Sequence, residues 1–206
     1  MMNYVDNLCE RYPELAPLRV KITEAVDMII ESYRSGGKVL LCGNGGSAAD
    51  SEHISGEFLK GFIELRTPHG AELEALESAL GEDAKKLQMG VPAIPLTSLS
   101  ASISAFSNDV DPMLVYAQLV YALGKQGDVL LGLSTSGNSK NVVKAAAVAK
   151  ALGIKTVGFT GESGGKLLEI CDVTLNAPSR ETYKVQEYHL PIYHAICAEV
   201  ERILFT

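Results

Sequence analysis

Tryptophan is absent from the 206 residues, and all aromatic types together make up only 6%. A core must therefore be built from aliphatic side chains, and these are plentiful, since hydrophobic residues total 47%. Long hydrophobic runs are missing as well: the longest are four to six residues, against the ~20 that a membrane-spanning helix requires. The opening stretch MMNYVDNLCERYPEL lacks a basic segment followed by an apolar one. Neither export nor membrane insertion is expected, and the cytoplasm is the expected location. Positive charge is in deficit, with 18 Lys and Arg against 25 Asp and Glu and a net charge of −7. No local basic cluster offsets it, which argues against nucleic acid as a partner. Cysteine is sparse: Cys9, Cys42, Cys171 and Cys197 lie far apart with no CxxC pair. That pattern fits reduced core thiols rather than a disulfide frame or a cysteine metal site, and Cys42 is given no catalytic role.

What the chain does have is a regular alternation. Short apolar runs suited to buried strands fall at 38–42, 93–96, 128–133, 155–159 and 172–176. Between them, helical patterns occupy 48–62, 100–123, 139–152 and 165–170, and a closing helix spans about 181–204. Leu15, Leu18, Ile22, Val26, Ile29, Ile30 and Tyr33 recur at steps of three and four, which predicts a helix over 14–35 ended by Gly36 and Gly37. The length suits one domain, 1–206, with an N-terminal helical segment 1–37. The expected fold class is α/β: a five-stranded parallel sheet inside a three-layer α/β/α sandwich of flavodoxin-like type, with an N-terminal helix and a long C-terminal helix. One segment, 64–90, breaks the rhythm. It is acidic, places Leu73, Leu76 and Leu80 on one stripe, and reads as an inserted surface or subunit-contact helix.

Two strands carry nearly the same ending: VLLCGNGGS at 39–47 and VLLGLSTSGNS at 129–139. A strand that stops at small residues before a helix leaves backbone N–H groups unpaired at the helix start, where an anion can use them. The second loop adds the hydroxyls of Ser134, Thr135, Ser136 and Ser139. Neither loop is a Walker loop, since no GxxxxGK[ST] occurs. The first matches the loose dinucleotide pattern GxGxxA, but the acidic residue about twenty positions on, Glu64, follows a helix instead of ending a strand, so sugar binding outranks nucleotide binding. Groups able to move protons sit nearby in the pattern. His53 and Glu57 share a helix face four residues apart, and Gln186 and His194 lie eight apart on the closing helix, offset by about 80°. His189, between them, reads as structural.

Taken together, CGNGGSAADSEHISGE, SNDVD, STSGNSKNV and VQEYHLPIYH, in that order, closely resemble the sugar isomerase (SIS) fold family. The likeness is specifically to the phosphoheptose isomerases, which convert sedoheptulose 7-phosphate to D-glycero-D-manno-heptose 7-phosphate. The resemblance implies zinc held by His53, Glu57, Gln186 and His194. It implies substrate contacts from Asn44, Gly45, Gly46 and Ser47, from Asn108 and Asp109, and from Gln186, with the phosphate held by Ser134, Thr135, Ser136 and Ser139. A homotetramer with active sites between subunits is implied too. The reaction moves a proton between adjacent carbons through an enediol, which requires a base and an acid; Glu57 is the expected base and His194 the expected acid. A metal-bound carboxylate is a poor base, so Glu57 either alternates between the two roles or the metal is structural. Against the family pattern stand the insertion and the pair Tyr183-Lys184 before Gln186, and both bear on substrate identity. The alternative in another class is a non-catalytic SIS regulator that binds sugar phosphates and associates with a replication initiator. Retention of Glu57 and His194 favours the enzyme.

Overall fold

Strands buried on both faces need side chains that are apolar in every position, and this is how β1 (Val39–Cys42) and β3 (Val129–Leu133) are built: each of their residues is buried. With β2 (Ala93–Pro95), β4 (Lys155–Thr160) and β5 (Val173–Asn176) they form one parallel sheet in the order β2-β1-β3-β4-β5. The computed structural model describes residues 3–206. Alternate residues of each strand face opposite layers. Val39 and Leu41 join a cluster with Ile22, Ile29, Ile54, Phe58 and Ile196, whereas Leu40 and Cys42 pack with Leu119, Val120, Val142 and Ala146. One layer thus holds α1 (Tyr4–Arg11), α2 (Arg19–Arg34), α3 (Gly46–Leu59) and α9 (Thr182–Phe205). The other holds α6 (Val115–Leu123), α7 (Lys140–Ala151) and α8 (Leu167–Ile170), with α5 (Ser100–Asp109) against their edge.

The five expected strands and the three-layer order are present, and the differences lie where proline intervenes. The helix expected over 14–35 starts only at Arg19, because a 3-10 turn, Pro13–Leu18, containing Pro13 and Pro17 replaces its beginning and separates it from α1. The helices expected within 100–123 are present and divide at Asp111, which precedes Pro112 and is extended (φ −161, ψ 118). Asp111 then accepts a hydrogen bond from the Met113 N–H at 2.7 Å, which starts the next turn. In the insertion, α4 (Gly70–Leu80) buries none of its side chains; Leu73 and Leu76 are half-buried and Leu80 is 49% exposed.

Two buried carboxylates lock the elements that carry the loops and the charged groups. Asp128, fully buried, accepts from the N–H groups of Lys38 (2.9 Å) and Lys125 (2.8 Å) and pairs with the Lys38 Nζ at 2.6 Å. This ties the starts of β1 and β3 together and so sets their endings side by side. Glu201 on α9 is 1% exposed and accepts from the N–H groups of Phe62 (2.8 Å), Ile63 (2.8 Å) and Glu64 (3.1 Å). The Arg66 Nε donates to it at 2.6 Å, while the same guanidinium donates to the carbonyls of Phe58 (2.8 Å) and Glu57 (3.2 Å) at the end of α3. Burial by itself would raise the Glu201 carboxyl, but the Phe62 and Ile63 amides and Arg66 outweigh it and hold the pKa below its ordinary value. Replacing Glu201 by Ala strands a buried guanidinium and three amides. It should cost about 3–5 kcal/mol, read as a lowered urea midpoint, and a loss below about 1 kcal/mol would contradict the clamp.

His189 is fully buried against the end of β4, where its Nε2 donates to the Thr160 carbonyl at 3.1 Å. Burial, partly offset by that bond, pushes its pKa from 6.5 down to about 4. Since the folded state resists protonation, its contribution is complete above about pH 6.5 and is lost as pH falls toward 4, on the order of 3 kcal/mol in all. Unfolding free energies measured across that window should fall more steeply for the wild type than for His189→Gln, whose amide can still donate to Thr160. Equal slopes would remove His189 as the cause.

Candidate functional site

In an open parallel sheet, ligands bind beyond the carboxyl ends of the strands where the strand order reverses. Here β2 lies on one side of β1 and β3 on the other, so the reversal falls between β1 and β3, the two strands with the glycine and serine endings. After β1 the chain turns at Gly43, whose carbonyl accepts from the buried Tyr116 hydroxyl at 2.6 Å. Gly45 takes the left-handed conformation (φ 57) that opens α3 without a Cβ penalty. The amide of Gln186 on α9 packs directly against Gly46, where a Cβ would displace it. Asn44, Gly45 and Gly46 are exposed and Ser47 is buried.

The second ending is rigidified by its own hydroxyls. The Ser134 Oγ donates to the Ser139 Oγ at 2.9 Å and accepts from the Ser139 N–H at 3.3 Å. Ser136 accepts from the Asn138 N–H at 3.2 Å, and Asn138 returns a bond to the Ser136 carbonyl at 2.9 Å. Gly137 (φ 66) has no room for a Cβ against the Gly164 carbonyl. The loop therefore delivers Thr135, Ser136 and Ser139 to the N-terminus of the 12-residue α7, where the helix dipole favours an anion. Asn44 and Asn141 tie the two endings together by reciprocal amide bonds of 2.9 and 2.8 Å. Asn141 was not among the residues singled out from the sequence, since a lone Asn in a helix's first turn gives no signal of its partner.

A second group forms where α3 lies beside α9. The His53 Nε2 meets the Glu57 Oε1 at 3.1 Å, with Lys60 Nζ 3.5 Å from the other oxygen. The rings of His53 and His194 are 5.1 Å apart, edge to face. Buried Tyr193 places its hydroxyl 2.9 Å from the His53 Nδ1 and 3.4 Å from the Asp50 Oδ1. Burial first, then the neighbouring His53, hold the His194 pKa below its ordinary value, so its ring is neutral at neutral pH. Its Nε2 is buried with no partner. The ring also lines a cavity of ≈ 320 Å³ with Tyr4, Arg11, Phe62 and Glu187.

Not every expected residue joins these groups. Gln186 lies against Gly46, eight residues, or roughly 12 Å of helix, before His194. Asn108 and Asp109 end α5 and bond to each other at 2.9 Å; among the described residues no hydrogen bond links them to either loop. No three His, Cys, Asp or Glu side chains among the described residues are spaced to hold a metal ion. The donor types at His53, Glu57 and His194 nonetheless suit zinc, and the unpartnered His194 Nε2 is the kind of atom a ligand would use.

A parallel sheet with a serine-rich loop and helix N-terminus at its switch point suits a phosphorylated ligand, and comparison with known proteins narrows the class. The SIS domain profile matches residues 3–88 and 71–161, and the chain belongs to the SIS domain family. Within it, the chain is similar to phosphoheptose isomerases. That of Roseiflexus sp. is 42% identical over 92% of this chain and 84% of its own length. That of Burkholderia pseudomallei is 41% identical over 91% and 84%. The solved phosphoheptose isomerase from Francisella tularensis superposes with a TM-score of 0.76 at 30% identity, covering 97% of this chain and 95% of that one. This chain is an isomerase of that group. Because Asn141 holds Asn44 over the serine loop, Asn141→Ala should raise KM for the phosphosugar about fivefold, equivalent to ~1 kcal/mol for the lost bonds. An unchanged KM in steady-state assays would detach the Asn44 loop from substrate binding.

Proposed function

We propose that this isomerase converts sedoheptulose 7-phosphate to D-glycero-D-manno-heptose 7-phosphate. The observation that carries the reading is the pairing of a hardened serine loop at the helix α7 N-terminus with a carboxylate and two imidazoles gathered between α3 and α9. The hydroxyls of Thr135, Ser136 and Ser139 and the first amides of α7 hold the phosphate, and Asn44, Gly45, Gly46 and Gln186 border the sugar. Asn108 and Asp109 are substrate contacts in this reading, as the family resemblance implies. Glu57 takes the proton from C1, whose bonding electrons become the C1–C2 double bond of the enediol, while His194 supplies a proton to the C2 oxygen. Collapse of the enediol returns the C1 hydroxyl proton to His194 and the Glu57 proton to C2. A neutral imidazole suits both steps, since one nitrogen can give a proton and the other can take one. The lowered His194 pKa supports that assignment.

His53, Glu57, Gln186 and His194 are the proposed zinc ligands; Gln186 lies beside Gly46, away from the other three in the same chain, so in this reading it joins them from a neighbouring subunit. Bound there, the ion would polarise the carbonyl and steady the enediolate. A homotetramer with sites between subunits is part of the same reading. Glu57 follows Gly46 by eleven residues of α3, about 16 Å along the axis, which is longer than a seven-carbon phosphate extends. One chain's loops therefore work with another chain's Glu57. Leu59, Ile63 and Leu65, exposed by 53%, 50% and 71% just beyond Glu57, support a covered surface there. Among the described residues no helix is long and apolar enough to cross a membrane, in keeping with a cytoplasmic location.

Purified protein, assayed with and without zinc, should turn over sedoheptulose 7-phosphate. Glu57→Gln should lower kcat by about 10³ or more while substrate binding survives, since an amide cannot take the carbon proton. Substrate that is bound by the wild type but left unchanged would instead support the non-catalytic SIS regulator.

A further inference from the structure

The glycine run GESGGK at 161–166, the turn between β4 and α8, has no part in the reaction, yet it lies directly behind the serine loop. The Gly161 N–H donates to the Thr135 carbonyl at 2.9 Å, the Lys166 N–H to the Asn138 Oδ1 at 3.2 Å, and the Leu167 N–H to the Gly137 carbonyl at 3.1 Å. Glycine is needed for this approach: a Cβ at Gly161 would stand 2.7 Å from the Thr135 carbonyl, and one at Gly165 would stand 2.7 Å from the Asn138 Nδ2. The turn is itself anchored to the segment entering α9, because the Glu162 N–H donates to the Ser179 carbonyl at 2.9 Å. Asn138 completes the arrangement, its Nδ2 donating to the Ser136 carbonyl at 2.9 Å, while the Gly137 N–H takes the Ser134 carbonyl at 2.8 Å. Every carbonyl from Ser134 to Gly137 is thus engaged within the protein. A trans peptide is planar, so its N–H points away from whatever holds its C=O. Fixing the Ser134 and Thr135 carbonyls therefore turns the N–H groups of Thr135 and Ser136 outward, and among the described residues neither has an acceptor. The Lys140 and Asn141 N–H groups, first in α7, have none either.

We propose that Asn138 is a positioning residue: braced by the 161–166 turn, it sets the serine loop so that these free amides face the phosphate of the substrate. This rests on the reading of the serine loop as the phosphate holder. Asn138 acts without touching the phosphate, since both ends of its side-chain amide are spent, one on the Ser136 carbonyl and the other on the Lys166 N–H. Its own N–H donates to the Ser136 Oγ at 3.2 Å, which leaves that hydroxyl proton free for the anion. Successive outward amides of this kind form a concave anion site whose strength depends on their staying aimed together.

Steady-state kinetics of the full-length enzyme with sedoheptulose 7-phosphate, using inorganic phosphate as a competing anion, test this. Asn138→Ala removes both side-chain bonds and should raise KM and the phosphate Ki together, each about tenfold, while kcat stays within about twofold because Glu57 and His194 are untouched. Amide hydrogen exchange, followed by NMR, should quicken at Gly137, Asn138 and Lys166 in this variant but not along β3, which separates a loosened loop from a general loss of stability. Gly161→Ala presses on the Thr135 carbonyl without altering a polar group, and it should shift KM and the phosphate Ki in the same direction. A folded Asn138→Ala enzyme in which phosphate competes as well as in the wild type overturns the proposal alone. So does a lower kcat at unchanged KM, since Asn138 would then serve the chemical step. If phosphate fails to compete in the wild type and Ser136→Ala leaves KM unchanged, the loop does not hold the phosphate, and the proposal falls together with that reading.

Discussion

The carboxylate of Glu201 gathers four donors from a segment more than a hundred residues earlier: three consecutive amides and the Arg66 guanidinium. Removing two charges from water is expensive, and such a pair persists only where the remaining hydrogen-bonding capacity is filled. Here it is filled, because Arg66 spends its other nitrogens on the carbonyls of Phe58 and Glu57 and lays its plane 4.8 Å from the Phe205 ring. The result is that the last turn of α3 cannot slide along α9. Everything that depends on those two helices being in register depends on this clamp. At their N-terminal ends Gln186 meets Gly46, and one to two turns before the clamp His53 meets Tyr193 and His194.

The same clamp limits what the insertion can disturb. The Arg66 carbonyl accepts from the Met89 N–H at 2.7 Å, and the Gly61 N–H donates to the Gln88 Oε1 at 2.7 Å. The neck of the 64–90 excursion is thus closed at the base, so α4 hangs from a fixed point without pulling on Glu57. At the opposite edge of the site, Asp128 does the corresponding job for the sheet by joining the starts of β1 and β3. Parallel strands pinned at their beginnings end together, and this is why two loops ninety residues apart in the chain present one surface.

The legible and illegible parts of this molecule separate along physical lines. Buried parallel strands are apolar throughout, and the glycine and serine endings announce themselves by composition, so the sheet and both loops were readable from local sequence. The register of one helix against another is a long-range property. Gln186 and His194 share a helix, and their spacing suggested a common target; because α3 and α9 run alongside each other, each meets a different part of α3 instead. Arg66, Glu201, Asn141, Asp50 and Tyr193 escaped notice for the same reason. An Arg or a Glu within a charged stretch reads as a solvated face, and only the fold reveals that Arg66 and Glu201 are 2% and 1% exposed. Prolines were the local signal that was underweighted at the start of the 14–35 helix, at Pro13 and Pro17.

Two histidines five residues apart on α9 show how one helix serves both structure and chemistry. His189 is sealed against Phe159 and gives its one available proton to a backbone carbonyl, so it is neutral and spent. Burial also lowers the His194 pKa, and each histidine has one ring nitrogen without a partner, Nδ1 in His189 and Nε2 in His194, but only the His194 ring borders a cavity. A neutral imidazole in contact with solvent or substrate can both give and take a proton, whereas one locked to a carbonyl can do neither without breaking the fold. The distinction is made by which side of α9 faces the sheet and which faces the gap beside α1, and the Glu201 clamp fixes that rotation. The capacity for proton transfer at His194 is therefore a consequence of helix register as much as of residue type.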